Sequence, residues 1–323
     1  MKLAELAKAY DDGKIEKKLF WSIMREKFLA IEEYAEFLKI NNACESIEIT
    51  KNGIILNNNF GIKIYFDFAQ TICRAEIMYY MNGDGEDDNI KFISTLIKAD
   101  DVFFDVGANV ALFSLQMDAM TKGLTYYAFE PLPPTFAKLQ KTLKLNNASN
   151  INAFNVGMSD KKGCFDFYLP GTSEAASLKP VTDEFYLKES DTSGKYVGGN
   201  KMEKVLCQVT TLDDFCTENS ISRMDFMKID VEGNEIFALK GATNTLKTLK
   251  PMIYCEMLRK HAARFGYHPN DIIAMMKGMG YGCYTINVNS IEKFESMDEQ
   301  TVETNFLFLN LEKHAAIIQK YLK

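Results

Sequence analysis

Val102-Phe103-Phe104-Asp105-Val106-Gly107-Ala108-Asn109 reads as a buried strand that ends in an acid and turns through a glycine. Such a turn lets the backbone approach a small polar ligand closely. Outward from this stretch, strand and helix patterns alternate: strand 102–107, helix 111–121, strand 124–130, helix 133–146 and strand 151–157. The alternation resumes with strand 225–230, helix 233–248, strand 252–257, helix 269–279 and strands 281–286 and 305–310. This rhythm predicts an α/β fold in which a parallel sheet carries helices on both faces, with the last strands forming an antiparallel edge pair. Ligands of such sheets sit at the carboxyl ends of the strands near the switch point, which places Asp105 and Gly107 for a ligand's amino acid moiety.

Ahead of this core, residues 1 to about 42 are helical in pattern, and Trp21, Ile23, Met24, Phe28, Ile31 and Tyr34 form an apolar stripe. The stripe suits packing on the main domain, the use favoured here, or a homodimer contact through the N-terminal helices. Residues 46 to about 69 switch to β alternation, with turns at Lys51-Asn52-Gly53 and Asn59-Phe60-Gly61. From about 70 to 100 the pattern is helical again, broken at Asn82-Gly83-Asp84-Gly85-Glu86-Asp87-Asp88. The expected organisation is an N-terminal helical and β-ribbon extension over 1–80 and a main domain over 81–323. Within the latter, 170–204 is rich in Ser, Thr, Gly, Lys and Glu without periodicity and reads as a substrate loop.

The 323 residues are 47% hydrophobic and 25% charged, which are globular proportions. A net charge of -7 argues against nucleic acid as the main partner, because phosphate binding needs a basic surface. The opening MKLAELAKAYDDGKIEKK has neither a secretory pattern nor a membrane span, so a cytoplasmic location is expected. The seven cysteines are scattered and never form Cys-x-x-Cys, so neither a disulfide framework nor a zinc site is expected. Cys255 and Cys283 read as small core residues.

Two further strand ends carry chemistry. In Ala128-Phe129-Glu130-Pro131 the second strand also ends in an acid, and a carboxylate there can accept both hydroxyl protons of a ribose. A dinucleotide site would need Gly-x-Gly-x-x-Gly for its pyrophosphate, but Gly107-Ala108-Asn109-Val110-Ala111 has one glycine, which favours a cofactor without phosphate. In Lys228-Ile229-Asp230-Val231-Glu232-Gly233-Asn234-Glu235 a strand ends in carboxylates where a helix begins. Helix capping is one account of Glu232 and Glu235. Asp230 and Glu256 fall at the same level on neighbouring strands, where they could share a metal ion, orient a hydroxyl or accept its proton. His261 follows as a second candidate base.

At these strand ends the chain resembles the FkbM family of methyltransferases, whose members share Asp-x-Gly-Ala-Asn, Phe-Glu-Pro and Lys-Ile-Asp-x-Glu-Gly. The corresponding stretches are Asp105–Asn109, Phe129–Pro131 and Lys228–Gly233, and Asn155–Gly163 looks like the family's third strand and following turn. The resemblance spans roughly 80 to 257. It implies a class I methyltransferase (Rossmann-like) fold, a seven-stranded mostly parallel sheet with its last strand inserted antiparallel, and S-adenosylmethionine as donor. It further implies Asp105, Gly107 and Asn109 near the methionine part, Glu130 with Pro131 at the ribose, Ser159 and Asp160 near the adenine, and Glu86 reaching the cofactor. Ala111 stands where the family usually has glycine.

An acceptor hydroxyl must lose its proton during or after attack on the methyl group, which calls for a base or a metal. Asp230, Glu256, His261 and Glu232 are the candidates, with Asp230 and Glu256 as the ligands of any divalent metal. The acceptors that the resemblance implies are glycan and macrolide-type hydroxyls. The expectation is therefore an O-methyltransferase acting on a carbohydrate hydroxyl, free or nucleotide-linked, with 170–204 covering the acceptor. The alternatives are a non-sugar natural product, an N or carboxyl acceptor, and an inactive cofactor-binding scaffold.

Overall fold

A computed structural model describes residues 2–40, 44–66, 87–169, 176–180 and 203–323. Two helices, Leu3–Asp11 and Lys17–Ile40, lead into a three-stranded antiparallel ribbon of β1 (Cys44–Thr50), β2 (Gly53–Asn58) and β3 (Lys63–Phe66). The ribbon does not stand apart. Cys44, Leu56, Ile62 and Ile64 join the apolar cluster that contains Phe103 and Tyr126 of the main sheet. Asn146 fastens it further, accepting from the Lys63 N–H at 2.8 Å and donating to the Lys63 carbonyl at 2.7 Å.

The main body is built on β4 (Val102–Val106), β5 (Thr125–Phe129), β6 (Ile151–Phe154), β7 (Gly157–Met158), β8 (Gly163–Leu169), β9 (Glu203–Thr210), β10 (Phe226–Ile229), β11 (Met252–Glu256), β12 (Tyr281–Asn287), β13 (Ser290–Lys293) and β14 (Asn305–Asn310). Eight of these form one sheet in the order β13-β12-β14-β11-β10-β4-β5-β6. From β11 through β6 the strands are parallel, and β14 runs antiparallel between β11 and β12. That is the class I methyltransferase order, with β13 added as an edge hairpin strand. Neighbouring residues of one strand feed opposite faces. Phe103 stacks on Phe226 at 4.9 Å on one face, while Phe104 stacks on Tyr127 at 4.8 Å on the other. Both phenylalanines are fully buried, which explains why the strand is apolar without alternation.

The chain differs from the expected pattern in three places. Strand 151–157 divides, because β7 leaves the main sheet to pair with β9, which in turn pairs with β8 in a second three-stranded sheet. The expected helix over 233–248 is two helices, Glu235–Lys240 and Thr243–Leu249, broken at Gly241. A Cβ on Gly241 would lie 2.0 Å from the Ser159 carbonyl oxygen, so the close approach there requires glycine. Most of the apolar stripe of Lys17–Ile40 stays exposed, Trp21 at 56% and Phe28 at 55%, while Ile23 and Met24 are half-buried and the helix meets the core at Leu38. No described helix is long and apolar enough to cross a membrane. The six described cysteines are free, and Cys255 and Cys283 lie in the core as expected.

Candidate active site

The chain folds away from the centre of the sheet in opposite directions beyond β4 and β10, so their carboxyl ends open a crevice. One cleft lies there. Gly107, Asn109, Glu130 and Pro131 line one side of it, and Asp230, Glu232 and Asn234 the other. Gly157, Met158, Phe167, Ala176 and Leu178 complete the lining.

The first side is built by the turn after β4. Gly107, Asn109 and Ala111 all take positive φ, at 84°, 49° and 63°. Only glycine fits at 107, because a Cβ there would lie 1.8 Å from the Asp230 carbonyl oxygen. The left-handed φ of Ala111 at the start of helix Leu112–Met120 explains why glycine suits that position, and alanine holds it with some strain. The turn is tied to β5, since the Gly107 and Ala108 N–H groups both donate to the Phe129 carbonyl. Glu130 accepts from the Asn109 N–H at 3.1 Å and from the Leu132 N–H at 2.9 Å, one donor for each carboxylate oxygen. Burial pushes its carboxyl up to about 8 despite those two donors.

Asp105 lies behind this turn, not on the cleft wall. It is fully buried, accepts from the Ser114 hydroxyl at 2.6 Å, and has the Lys228 ammonium 3.7 Å from its other oxygen. Burial raises its pKa, with the Lys228 charge opposing. Lys228 also donates to the Gly107 carbonyl at 3.0 Å and to Asp230 at 3.2 Å, and so joins the two sides of the cleft. Sequence reasoning assigned it no task. The available signal was a lysine inside the apolar run Phe226–Ile229, since a buried ammonium requires partners.

Ser159 is buried at the corner under Gly241 and donates its N–H to the Thr210 carbonyl, while Asp160 is exposed. Neither lines the cleft; their neighbours Gly157 and Met158 do. Glu86 lies outside the described residues. Of the stretch 170–204, Ala176 to Pro180 is described: Ser177 pairs with Tyr168 through two backbone hydrogen bonds and donates its hydroxyl to the Glu232 carbonyl at 3.0 Å. That fixes Ala176 and Leu178 against the cleft.

On the second side, Glu235 takes the capping role. Its carboxylate accepts from the Val231 and Gly233 N–H groups and from the Tyr267 hydroxyl. Glu232, in left-handed conformation at φ 56°, does not cap and turns toward the helix Arg259–Arg264. His261 Nδ1 lies 3.3 Å from the Glu232 carboxylate and 3.9 Å from that of Glu256, at the end of β11. Donor atoms of these three residues all lie within 4.8 Å of one another, whereas Asp230 stands outside the trio. Arg264 donates to the Glu232 carbonyl at 3.1 Å and has its guanidinium 3.9 Å from the carboxylate. Burial raises the Glu256 carboxyl well above its ordinary range, helped by the charges of Asp230, Glu232 and Glu235. Burial, with Arg264 and Lys260, lowers His261 to about 3. The imidazole is therefore neutral at ordinary pH, and a proton given to this cluster resides preferentially on carboxyl oxygen.

The model for the methyltransferase FkbM domain matches residues 105–283, more than half of the chain. Methyltransferase 1 of Beauveria bassiana is 30% identical over 148 residues, which cover 44% of this chain and 59% of that protein. The hexuronic acid methyltransferase AglP of Haloferax volcanii is 24% identical over 210 residues, 65% of this chain and 75% of its own. The 31-O-demethyl-FK506 methyltransferase FkbM of Streptomyces tacrolimicus is 25% identical over 203 residues, 57% of this chain and 74% of its own. The chain thus spans about three fifths of the length of the first of these relatives.

Proposed function

The chain belongs to the FkbM methyltransferase family, and from that premise we propose that it is an S-adenosylmethionine-dependent O-methyltransferase acting on a carbohydrate hydroxyl. The observation that carries this reading is the cleft that joins the Gly107–Asn109 turn and Glu130 to Asp230 and Glu232. The residues fit the donor. Gly107 lets the turn close against the Asp230 backbone at the edge of the cleft, Asn109 Oδ1 is buried without a hydrogen bond, and each Glu130 oxygen keeps a lone pair beyond the N–H it already accepts. Asn109 Oδ1 suits an ammonium group and Glu130 a pair of ribose hydroxyls. Asp105 and Lys228 position the turn from behind, and Pro131, Gly157 and Met158 supply apolar contact for a base. Glu86, Ser159 and Asp160 remain assignments by family likeness.

When bound, S-adenosylmethionine supplies a methyl group already activated on a sulfonium. The protein's own work is to align the acceptor and take its proton. Asp230, on the cleft wall with Lys228 at 3.2 Å, orients the acceptor hydroxyl. The cluster of Glu232, Glu256 and His261 takes the proton, which comes to rest on carboxyl oxygen, with the neutral His261 imidazole set between the two carboxylates. Support for a sugar acceptor comes from the hexuronic acid that one relative is named for, and support for transfer to oxygen from the 31-O-demethyl-FK506 that another is named for.

Calorimetric titration with S-adenosylmethionine tests the donor, and a panel of sugar, amine and carboxylic acid acceptors with isotope-labelled donor tests the rest. Saturable binding followed by label in a sugar ether is the expected result. Binding without transfer to any acceptor would point to a scaffold subunit. Chelation by EDTA tests the other use of Glu232, Glu256 and His261, as ligands of a divalent ion: activity that survives it leaves proton transfer as their task.

A further inference from the structure

The helix Lys17–Ile40 has an unusual surface. Every residue from Arg25 to Glu36 is exposed, so three turns of helix have no covered face. Helices of globular proteins take most of their stability from packing an apolar face, and isolated ones are marginal in water. Yet this one carries Trp21, Phe28 and Ile31 at 56%, 55% and 47% exposure. Together with Met24 and Ala35 they stand at alternating intervals of three and four residues, the spacing of a coiled-coil seam.

Charge identifies what covers the seam. The first half of the helix bears Lys17, Lys18, Arg25 and Lys27 against one acid, Glu26; the second half bears Glu32, Glu33 and Glu36 against one base, Lys39. One half is basic and the other acidic, so the helix complements itself when reversed. A second copy related by a two-fold axis presents that reversed surface.

We propose that this helix pairs antiparallel with the same helix of a second copy, forming a homodimer. In the matching register Met24 of one copy meets Ala35 of the other and Phe28 meets Ile31, while Trp21 lies at the end of the seam, where the other helix turns Leu38 onto its own core. Large residues thus face smaller ones in every layer, and Arg25 flanks Glu32 of the other copy twice over. A parallel pairing would set basic half against basic half and would deny Arg25 that partner. Helix Leu3–Asp11 packs on the start of the long helix, with Leu6 fully buried and Tyr10 stacked on Phe20 at 4.4 Å, and leaves Phe28, Ile31 and Ala35 exposed.

Sedimentation velocity on the full chain over a range of concentrations tests this. The expected species has twice the 36.7 kDa chain mass at micromolar concentration. Ile31→Glu, a change at an exposed position, should weaken the dimer by roughly thirtyfold or more, as loss of an interface anchor does. Arg25→Glu should also weaken it, and the double variant Arg25→Glu with Glu32→Arg should restore it, which reads out the antiparallel register. An unchanged thermal midpoint at low concentration would show that the variants fold. A wild type that stays monomeric at tens of micromolar, or a dimer indifferent to Ile31→Glu, would overturn the proposal. Dissociation by Ile31→Glu without rescue by the charge swap would overturn the antiparallel arrangement.

Discussion

The two sides of the cleft solve different problems. On the side of Gly107, Asn109 and Glu130, a short turn is tied by its backbone N–H groups to the end of the neighbouring strand, and each carboxylate oxygen of Glu130 has its own N–H donor. On the side of Glu232, Glu256 and His261, the ends of two adjacent strands and the helix that follows crowd two carboxylates, an imidazole and a guanidinium together. The first side is preorganised by geometry, and the second is tuned by mutual charge. A change to the first should therefore be felt as binding and folding, and a change to the second as rate.

The largest effect expected is from Gly107→Ala. The new Cβ meets the Asp230 carbonyl oxygen at 1.8 Å and the backbone is left-handed, which together should cost about 3 kcal/mol. Thermal melting should show the loss, and calorimetry no S-adenosylmethionine binding. A variant that binds the donor like wild type would break the assignment of this side.

His261→Gln and Glu256→Gln probe the other side. Each should lower kcat by roughly 100-fold, the usual contribution of a proton acceptor, while leaving donor affinity within a factor of two or so. Equal losses in donor binding and turnover would erase the contrast between the sides. His261 also links to acid stability: its folded pKa near 3 lies below the ordinary 6.5, so its neutral form favours folding above pH 6.5, and that advantage is lost as pH falls toward 3.

Glu130 sharpens the comparison through protons. Its carboxyl sits near 8 in the folded protein against an ordinary 4.5, so the folded state holds more protons than the unfolded one between these values. Its contribution to stability falls as pH rises from 4.5 to 8, and Glu130→Gln should remove that slope. Hydroxyl donors from a ribose favour the charged carboxylate, so donor binding at pH 7 should release a proton. Titrations in phosphate and in Tris should then give different heats, and identical heats would refute the contact. Glu130→Gln should also weaken binding by roughly 10- to 100-fold, the worth of hydrogen bonds to a charged group.

The smallest effect is the mildest strain. Ala111→Gly should raise stability by about 1 kcal/mol at most, as relief of the left-handed alanine is partly offset by the greater freedom of unfolded glycine. Equilibrium urea unfolding can resolve a change of that size.

The sheet was legible because its signals are local. Apolar runs, strand ends in Asp105, Glu130 and Asp230, and helical spacing between them read directly from neighbouring letters. What escaped depends on distance along the chain. The sheet of β7, β8 and β9 pairs Gly163–Leu169 with Glu203–Thr210 across an unpatterned stretch, and the glycine at the helix break, Gly241, is required by the close approach of the distant Ser159 carbonyl. The same holds at the site. Gly107 and Glu130 were legible from their turns, but that Asp105 points away from the cleft follows from its burial against Ser114 and Lys228. That Glu235 caps while Glu232 faces His261 is decided by a left-handed residue and by a helix that begins near thirty positions later.

The turn and carboxylate on the first side lie between Gly107 and Leu132, with Gly157 and Met158 added beside them, whereas the second side is assembled from Ala176–Leu178, Asp230–Asn234, Glu256 and His261. This layout has consequences for descent. A lineage can exchange one acceptor for another by drift in scattered loops, each altered alone, while the donor run is inherited whole. Transplanting acceptor preference between relatives by a single crossover should fail for the same reason.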